Sequence, residues 1–321
     1  MSDAVKTPSG SNKGKIAIAI VVILAALYVA VSRFINSQAE AKVVEAIETI
    51  EEESDGDAVI TYDSIDSSLF SSSATLNGVQ VSSKSEGDIF KADNITVVME
   101  GYTENERLPD NFSLSVENLQ ILNEELLTEM SSFAEVDYRE HPMDFQFGYD
   151  VDSGNGELAS NLTWSTEGLS SLNHEMTLSD VSGGWEAVQA AYKENSGSTD
   201  FTPAQQQAIQ AELQSVRFNH TQLRYENEGE VELMMEAVAR NNGVTADQLK
   251  AQILAGMEQQ LGDSDVAGEI RAFIENPEQL LVTIEPEEPL SMEELTQVSM
   301  MLMMGATADA TKVLGLTVDA N

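Results

Sequence analysis

Alternation of apolar and polar residues is the feature that most constrains the fold of this chain. Between residues 58 and 182 it recurs in short segments, separated by turns rich in serine and glycine. A period of two places successive side chains on opposite faces of a strand, and short turns join antiparallel neighbours. The sequence therefore predicts an antiparallel β-meander over residues 58–182, in which Asn155 and Gly156 suit a hairpin turn. The predicted strands are 58–65, 74–81, 94–99, 112–116, 143–151, 157–165 and 172–178, with a short helix at 124–133.

Helical spacing dominates residues 183–321. Pro203 suits the first turn of a helix, and capping boxes begin at Thr245 and Ser291. Helices are predicted at 185–193, 203–213, 230–242, 245–261, 266–274 and 291–304, and strands at 216–225, 280–284 and 314–318. Because strands interleave with these helices, we expect the helix-rich half to pack on the same sheet, which makes the fold class α+β.

An uncharged apolar run at residues 16–32 predicts a transmembrane helix over residues 16–35. Lys6, Lys13 and Lys15 precede the run and few basic residues follow it, so the positive-inside rule places the N-terminus in the cytoplasm. A cleaved signal peptide is the alternative, although its apolar region is usually about 7–15 residues long. The residues expected to anchor the chain in the membrane are Ile16, Ile20, Leu24, Leu27 and Val31.

The segments on either side of the run differ in character. Residues 1–15 are rich in serine, glycine and lysine, which is typical of a disordered tail. Residues 36–57 begin with apolar residues at helical spacing and end in an acidic stretch. They predict a membrane-proximal helix followed by a loop.

The charge balance excludes several classes of partner. The chain has 16 basic and 55 acidic residues, a net charge of −39, so nucleic acid and anionic headgroups would be repelled. The acidic surface has two interpretations: adaptation to a saline environment, or a surface for cations or a basic partner. The chain has no cysteine, which excludes a disulfide scaffold, a thiol nucleophile and a cysteine-based metal site.

No catalytic or cofactor motif is found in the sequence. His141, His174 and His220 are far apart, and the carboxylates that follow Asp150 do not fit a calcium-binding loop. The glycines at 154 and 156 precede a strand pattern, whereas a dinucleotide fingerprint opens a helix. We therefore predict no cofactor and a non-enzymatic role. The alternatives are a hydrolase whose active site is assembled from distant residues, and a metal-binding protein.

Two apolar surfaces are candidates for contact with a ligand or partner. One is the inner face of the meander, and the other is a helix with a methionine cluster. Methionines in such a cluster fill a core, form an adaptable binding surface or, outside the cytoplasm, hold Cu(I). The candidate residues are Val79, Val81 and Val97 on the meander, and Met300, Met301, Met303 and Met304 on the helix.

Two groups of segments resemble known families. The segments 62–65, 74–81 and 92–97, with Leu-x-Gly-Val-x-Val at 76–81, resemble the opening of AsmA-like and YdgA-like bacterial envelope proteins. The segments 223–227, 273–277, 281–284, 289–291, 314–318 and 320–321, together with Pro286, resemble the tail of uncharacterised proteobacterial envelope proteins. The resemblance implies a single-pass protein of the bacterial inner membrane with a periplasmic body. It also implies a curved sheet with an apolar surface, and a role in envelope maintenance or assembly through contact with lipid or another envelope protein.

Overall fold

The computed structural model describes residues 44, 47, 48, 51, 54, 56–68, 72–103, 107–134, 136–261, 264–303 and 306–321. Within these ranges, no helix combines the length and apolar character needed to cross a membrane. The predicted tail at 1–15 and the predicted anchor at 16–35, with Ile16, Ile20, Leu24, Leu27 and Val31, lie outside the described residues. Most of the predicted membrane-proximal helix does too, although residues 44, 47, 48 and 51 are helical.

In the described part of the chain, twelve strands form one sheet in which every pairing is antiparallel. The order is β1-β3-β4-β5-β6-β7-β8-β9-β10-β12, with β2 paired to β3 and β11 paired to β9. The antiparallel sheet is as predicted, and the late strands β9, β10 and β12 extend it. The strands are β1 (Ala58–Thr61), β2 (Ser64–Ser68), β3 (Ser73–Ser83), β4 (Gly87–Glu100), β5 (Asn111–Ile121), β6 (Met143–Asp152), β7 (Glu157–Thr166), β8 (Ser170–Ser179), β9 (Arg217–Asn227), β10 (Gln279–Ile284), β11 (Leu290–Ser291) and β12 (Leu316–Ala320).

Most of the helices lie in the second half of the chain, as the sequence predicts. Thr245 and Ser291 each form the reciprocal hydrogen bonds of a capping box, with Gln248 and Glu294 respectively. The helices are α1 (Glu124–Ala134), α2 (Ser182–Glu194), α3 (Pro203–Glu212), α4 (Glu230–Asn241), α5 (Ala246–Leu261), α6 (Asp265–Glu275), α7 (Met292–Met303) and α8 (Thr307–Leu314). The sequence did not predict α8, nor the short strand β11.

Gly78 changes which side of β3 faces the core. Leu76 and Val79 are both buried although they are three positions apart, which a regular strand does not allow. The backbone of Gly78 has a φ of +62°, a conformation that glycine adopts at little cost. A Cβ atom there would lie 2.2 Å from Oδ2 of Asp63. The glycine of the Leu-x-Gly-Val-x-Val segment therefore keeps both halves of the strand packed on one core.

The register of β6–β12 separates an apolar face from a polar face. Residues directly opposite each other in an antiparallel pair project from the same side, so one row can be followed from strand to strand. One row of the apolar face contains Phe147, Leu162, His174, Leu223, Val282 and Val318. The adjacent row on the other side contains Gln146, Thr163, Asn173, Arg224, Leu281 and Asp319.

Candidate functional site

The apolar face is closed over β3–β5. Val79, Val81 and Val97 are 1%, 0% and 1% exposed and belong to the largest buried cluster, together with residues such as Ile95 and Met99. The same cluster includes Tyr192 of α2. These three valines, expected from the sequence to be a contact surface, therefore present no surface to a ligand in this structure.

The same face is partly open over β6–β10. We call its partly exposed side chains the apolar patch, and Leu223 is the most open of them at 36% exposure. No patch residue belongs to the three buried clusters formed by the described residues. Contiguous exposed apolar surface is uncommon on soluble proteins and marks interaction sites. The apolar patch consists of Phe147, Leu162, Met176, Leu223, Val282 and Ile284.

Two aromatic contacts lie on either side of the apolar patch along the direction of the strands. Trp185 of α2 packs edge-on against Tyr149, with ring centroids 6.2 Å apart. Phe273 of α6 packs edge-on against Tyr225, with centroids 6.1 Å apart. Helices therefore cover the two flanks of the face, and the patch lies between them.

His174 lies inside the apolar patch, between Leu162 on β7 and Leu223 on β9. Its Nε2 is 2.8 Å from Oγ1 of Thr221, and that hydroxyl donates to the carbonyl oxygen of Glu175, also at 2.8 Å. The face therefore has one ionisable side chain surrounded by apolar neighbours in its central row.

A carboxylate fixes the flank of the sheet next to α4. Glu230, the first residue of α4, accepts hydrogen bonds from Ser170 Oγ at 2.5 Å, Tyr138 Oη at 3.1 Å and Tyr225 Oη at 3.2 Å. Burial, and then the charge of Glu230, raise the pKa of both tyrosines to about 12. Three hydroxyl donors satisfy this carboxylate, so the cluster joins α4 to β8 and β9 and to the segment before β6.

The methionine cluster lies on an exposed side of α7. Met300 and Met303 are 46% and 79% exposed, Met301 is half-buried, and Met304 lies outside the described residues. Val298 is buried and faces the body of the protein. The exposed methionines form a second apolar surface, separate from the patch, in the position that the sequence suggested for a soft binding surface.

A charged cleft of about 850 Å³ lies between the ends of β8 and β9, the segment before β11, and α7–α8. Its lining includes the cations Arg217 and Lys312, and Nη1 of Arg217 is 3.5 Å from Oε2 of Glu294. The remaining charged residues of the lining are acidic: Asp180, Glu287, Glu288, Glu294 and Asp309.

The histidines of the described part of the chain make no hydrogen bond to a carboxylate. His141 contacts the backbone carbonyl of Glu167, His174 contacts Thr221, and His220 lies on the polar face opposite Thr177. Within the described ranges, no three acidic or histidine side chains converge in a way that could hold a metal ion. The hydrolase and metal-binding alternatives gain no support from these positions and stay predictions.

The valines that the sequence suggested as a contact surface lie on the same face as the apolar patch, but on strands that are covered. Leu162 and Leu223 alternate with polar neighbours just as Val81 does. The two groups differ in what packs above each strand, which alternation does not report. The sequence identified His174 as a strand residue, whereas its apolar neighbours emerge only from the register.

One protein-family model, described only as "Uncharacterized protein", matches residues 163–321. No curated protein matches the chain. The matched range contains the last four residues of β7 and all of β8–β12, and with them His174 and all of the apolar patch except Phe147 and Leu162.

Proposed function

We propose that this chain is a single-pass protein of the bacterial inner membrane, with a cytoplasmic N-terminus and a periplasmic body, that binds lipid acyl chains. Its role would be non-enzymatic and would serve envelope maintenance or assembly. In this proposal residues 16–35 are the anchor, and the sheet curves around its apolar face as in AsmA-like and YdgA-like proteins. The observation that carries the proposal is the partly exposed apolar patch on the sheet of a strongly acidic body.

The dimensions of the apolar patch suit an acyl chain. The row from Phe147 on β6 to Val282 on β10 crosses four strand spacings, or about 19 Å at ~4.8 Å per spacing. The hydrocarbon core of a bilayer is about 30 Å thick, so an acyl chain in one leaflet spans about 15 Å. A single chain therefore fits across the patch, where its contacts would replace contacts with water.

The net charge of −39 favours capture of individual chains over adsorption of the body to the bilayer. Anionic headgroups repel such a body, and acyl chains carry no charge. An anchor would keep the body near the bilayer at a high effective concentration despite this repulsion. The charge would thus prevent adsorption of the body to the bilayer surface, and the anchor would prevent the body from diffusing away from the bilayer.

Two neighbouring residues of β10 provide the test. Val282 lies on the apolar face and Leu281 on the polar face, and both are half-buried. The full chain would be extracted with its apolar segment, and bound lipid would be measured by mass spectrometry for the wild type, Val282→Asp and Leu281→Asp. We expect Val282→Asp to lose most of the bound lipid and Leu281→Asp to retain it. Equal lipid content in the two variants would contradict the proposal.

A second candidate function is contact with another envelope protein through α7. It is favoured by the exposure of Met292, Met300 and Met303, at 55%, 46% and 79%. Methionine surfaces adapt to varied apolar partners. Replacing Met300 and Met303 with serine should then reduce the amount of a crosslinked partner in intact cells, whereas replacing them with leucine should not. If both pairs of substitutions leave crosslinking unchanged, this function is wrong.

A further inference from the structure

We infer that the ligand of the apolar patch is a long-chain carboxylic acid whose carboxyl group binds Nδ1 of His174. This inference rests on the proposed function, because it assigns a ligand class to the same surface. It starts from the hydrogen bonds of His174, the ionisable group in the central row of the patch.

The hydrogen bonds fix which nitrogen of His174 carries the proton. Thr221 has one hydroxyl hydrogen, and it points to the carbonyl oxygen of Glu175, which can only accept. The hydroxyl oxygen of Thr221 must therefore accept from His174, so Nε2 carries the hydrogen. In the neutral ring Nδ1 is then an acceptor, and it makes no hydrogen bond to a described residue.

An acceptor within an apolar surface selects a ligand that brings a donor. A carboxylic acid donates its O–H to neutral Nδ1, and if the proton moves to the ring, the carboxylate accepts from the imidazolium. The proton is only shared between the two groups, so the complex has the same total charge in both forms. An ester has the same chain but no donor, and it would leave Nδ1 without a partner at a cost in affinity.

The apolar surface beside His174 can hold most of the tail. From β8 the central row continues over Leu223 to Val282 on β10, two strand spacings or about 10 Å. This length is about two thirds of the ~15 Å that a chain spans in one leaflet. Val318 on β12, the next residue of the row, is buried. Leu223, the first of these side chains, is also the most exposed member of the patch, so the tail would begin where most apolar surface is open.

The test compares hexadecanoic acid with its methyl ester. Each would compete with a fluorescent acyl probe for the full chain, for His174→Leu and for His220→Leu. His220 provides a matched control because it lies on the same strand as Leu223 but on the polar face. We expect the wild type and His220→Leu to bind the acid about tenfold more tightly than the ester. In His174→Leu, which has no Nδ1 to satisfy, we expect the acid and the ester to bind equally tightly.

The outcomes separate this inference from the proposed function. If the wild type binds acid and ester equally, the role of His174 is wrong while the acyl-binding function stands. A preference for the acid that persists in His174→Leu has the same consequence. If neither compound displaces the probe from the wild type, the acyl-binding function fails and the inference fails with it. Circular dichroism of each variant would confirm that the fold is retained.

Discussion

The two halves of the sheet share one apolar face, but the face is buried in one half and partly exposed in the other. Over β3–β5 the face is sealed, and Val79, Val81 and Val97 are almost fully buried. Over β6–β10 the face has the same alternation and the same register rules, yet Leu223 is 36% exposed and its neighbours are half-buried. Burial of one half supplies stability through removal of apolar area from water. The other half leaves apolar area in water, at a cost that a ligand could recover.

The alternation within a strand of this sheet therefore does not determine whether the strand is open to a ligand. Alternation decides which side chains share a face, whereas access depends on what packs above that face. Substitutions in the closed half should lower the free energy of unfolding. The open half should tolerate substitution and lose binding first, so paired substitutions can test the contrast between the halves directly.

The largest expected effect on the free energy of unfolding comes from replacing one leucine with alanine in each half. Leu76 is 3% exposed in the closed half and Leu223 is 36% exposed in the open half. We expect Leu76→Ala to lower the free energy of unfolding by about 2–5 kcal/mol, because it leaves a cavity in the core. Leu223→Ala should cost less than about 1 kcal/mol. Urea denaturation measures both, and similar costs would show that the two halves are equally buried.

A smaller loss of stability is expected at the polar cluster that flanks the open half. Glu230→Ala removes the acceptor of Ser170, Tyr138 and Tyr225, so we expect a loss of about 2 kcal/mol in the free energy of unfolding. Glu232, on the same helix, is exposed, and Glu232→Ala should cost less than about 1 kcal/mol. An equal effect of the two changes would mean that the cluster does not fix this flank.

Alkaline pH should lower the free energy of unfolding, because it ionises buried tyrosines at the flanks of the open half. Burial raises the pKa of Tyr138, Tyr149 and Tyr225 to about 12, helped by the charge of Glu230 for two of them and of Asp110 for Tyr149. The folded state therefore favours the neutral phenols. Their contribution is complete below the unfolded pKa of about 10 and is lost as pH rises through about 12.

Urea denaturation from pH 8 to pH 12 would measure this loss. In Tyr149→Phe and Tyr225→Phe, the decline in the free energy of unfolding above about pH 10 should be shallower than in the wild type. Absorbance of the phenolate group would show whether these tyrosines titrate late. Titration of all tyrosines near pH 10 would contradict the burial of the flanks.

The smallest effect on stability is expected on α7. Met303 is 79% exposed, so Met303→Leu should change the free energy of unfolding by less than about 0.5 kcal/mol. Val298→Ala, on the buried side of the same helix, should cost more than about 1 kcal/mol. Thermal denaturation of both variants checks this order. A large cost at Met303 would mean that its surface is part of the core.

Much of the fold is readable from local patterns. Alternation predicted the strands of the meander, and the capping boxes at Thr245 and Ser291 marked the starts of two helices. These features depend on residues close together in sequence, for which pattern and structure are directly linked. The early meander is also where Gly78 interrupts the simple alternation, and its positive φ explains why the apolar positions shift there.

The candidate site could not be predicted in the same way. The Glu230 cluster joins residues up to 92 positions apart, and no local pattern connects Tyr138 with Glu230. The relation of His174 to Leu223 depends on the pairing of β8 with β9, which helices α2 and α3 separate in the chain. Exposure of the open half depends on where the helices pack, and packing is a property of the whole chain.

The labelling rate of single introduced cysteines would distinguish an open, ligand-binding half of the sheet from a closed one. The chain has no cysteine of its own, so each variant has one labelling site. The variants are Leu223→Cys in the open half, Leu76→Cys in the closed half and Leu281→Cys on the polar face. We expect a maleimide to label position 223 much faster than position 76, and hexadecanoic acid to slow labelling at 223 but not at 281. Slow labelling at both 223 and 76, or no protection at 223, would contradict the division of the sheet into a closed half and an open, acyl-binding half.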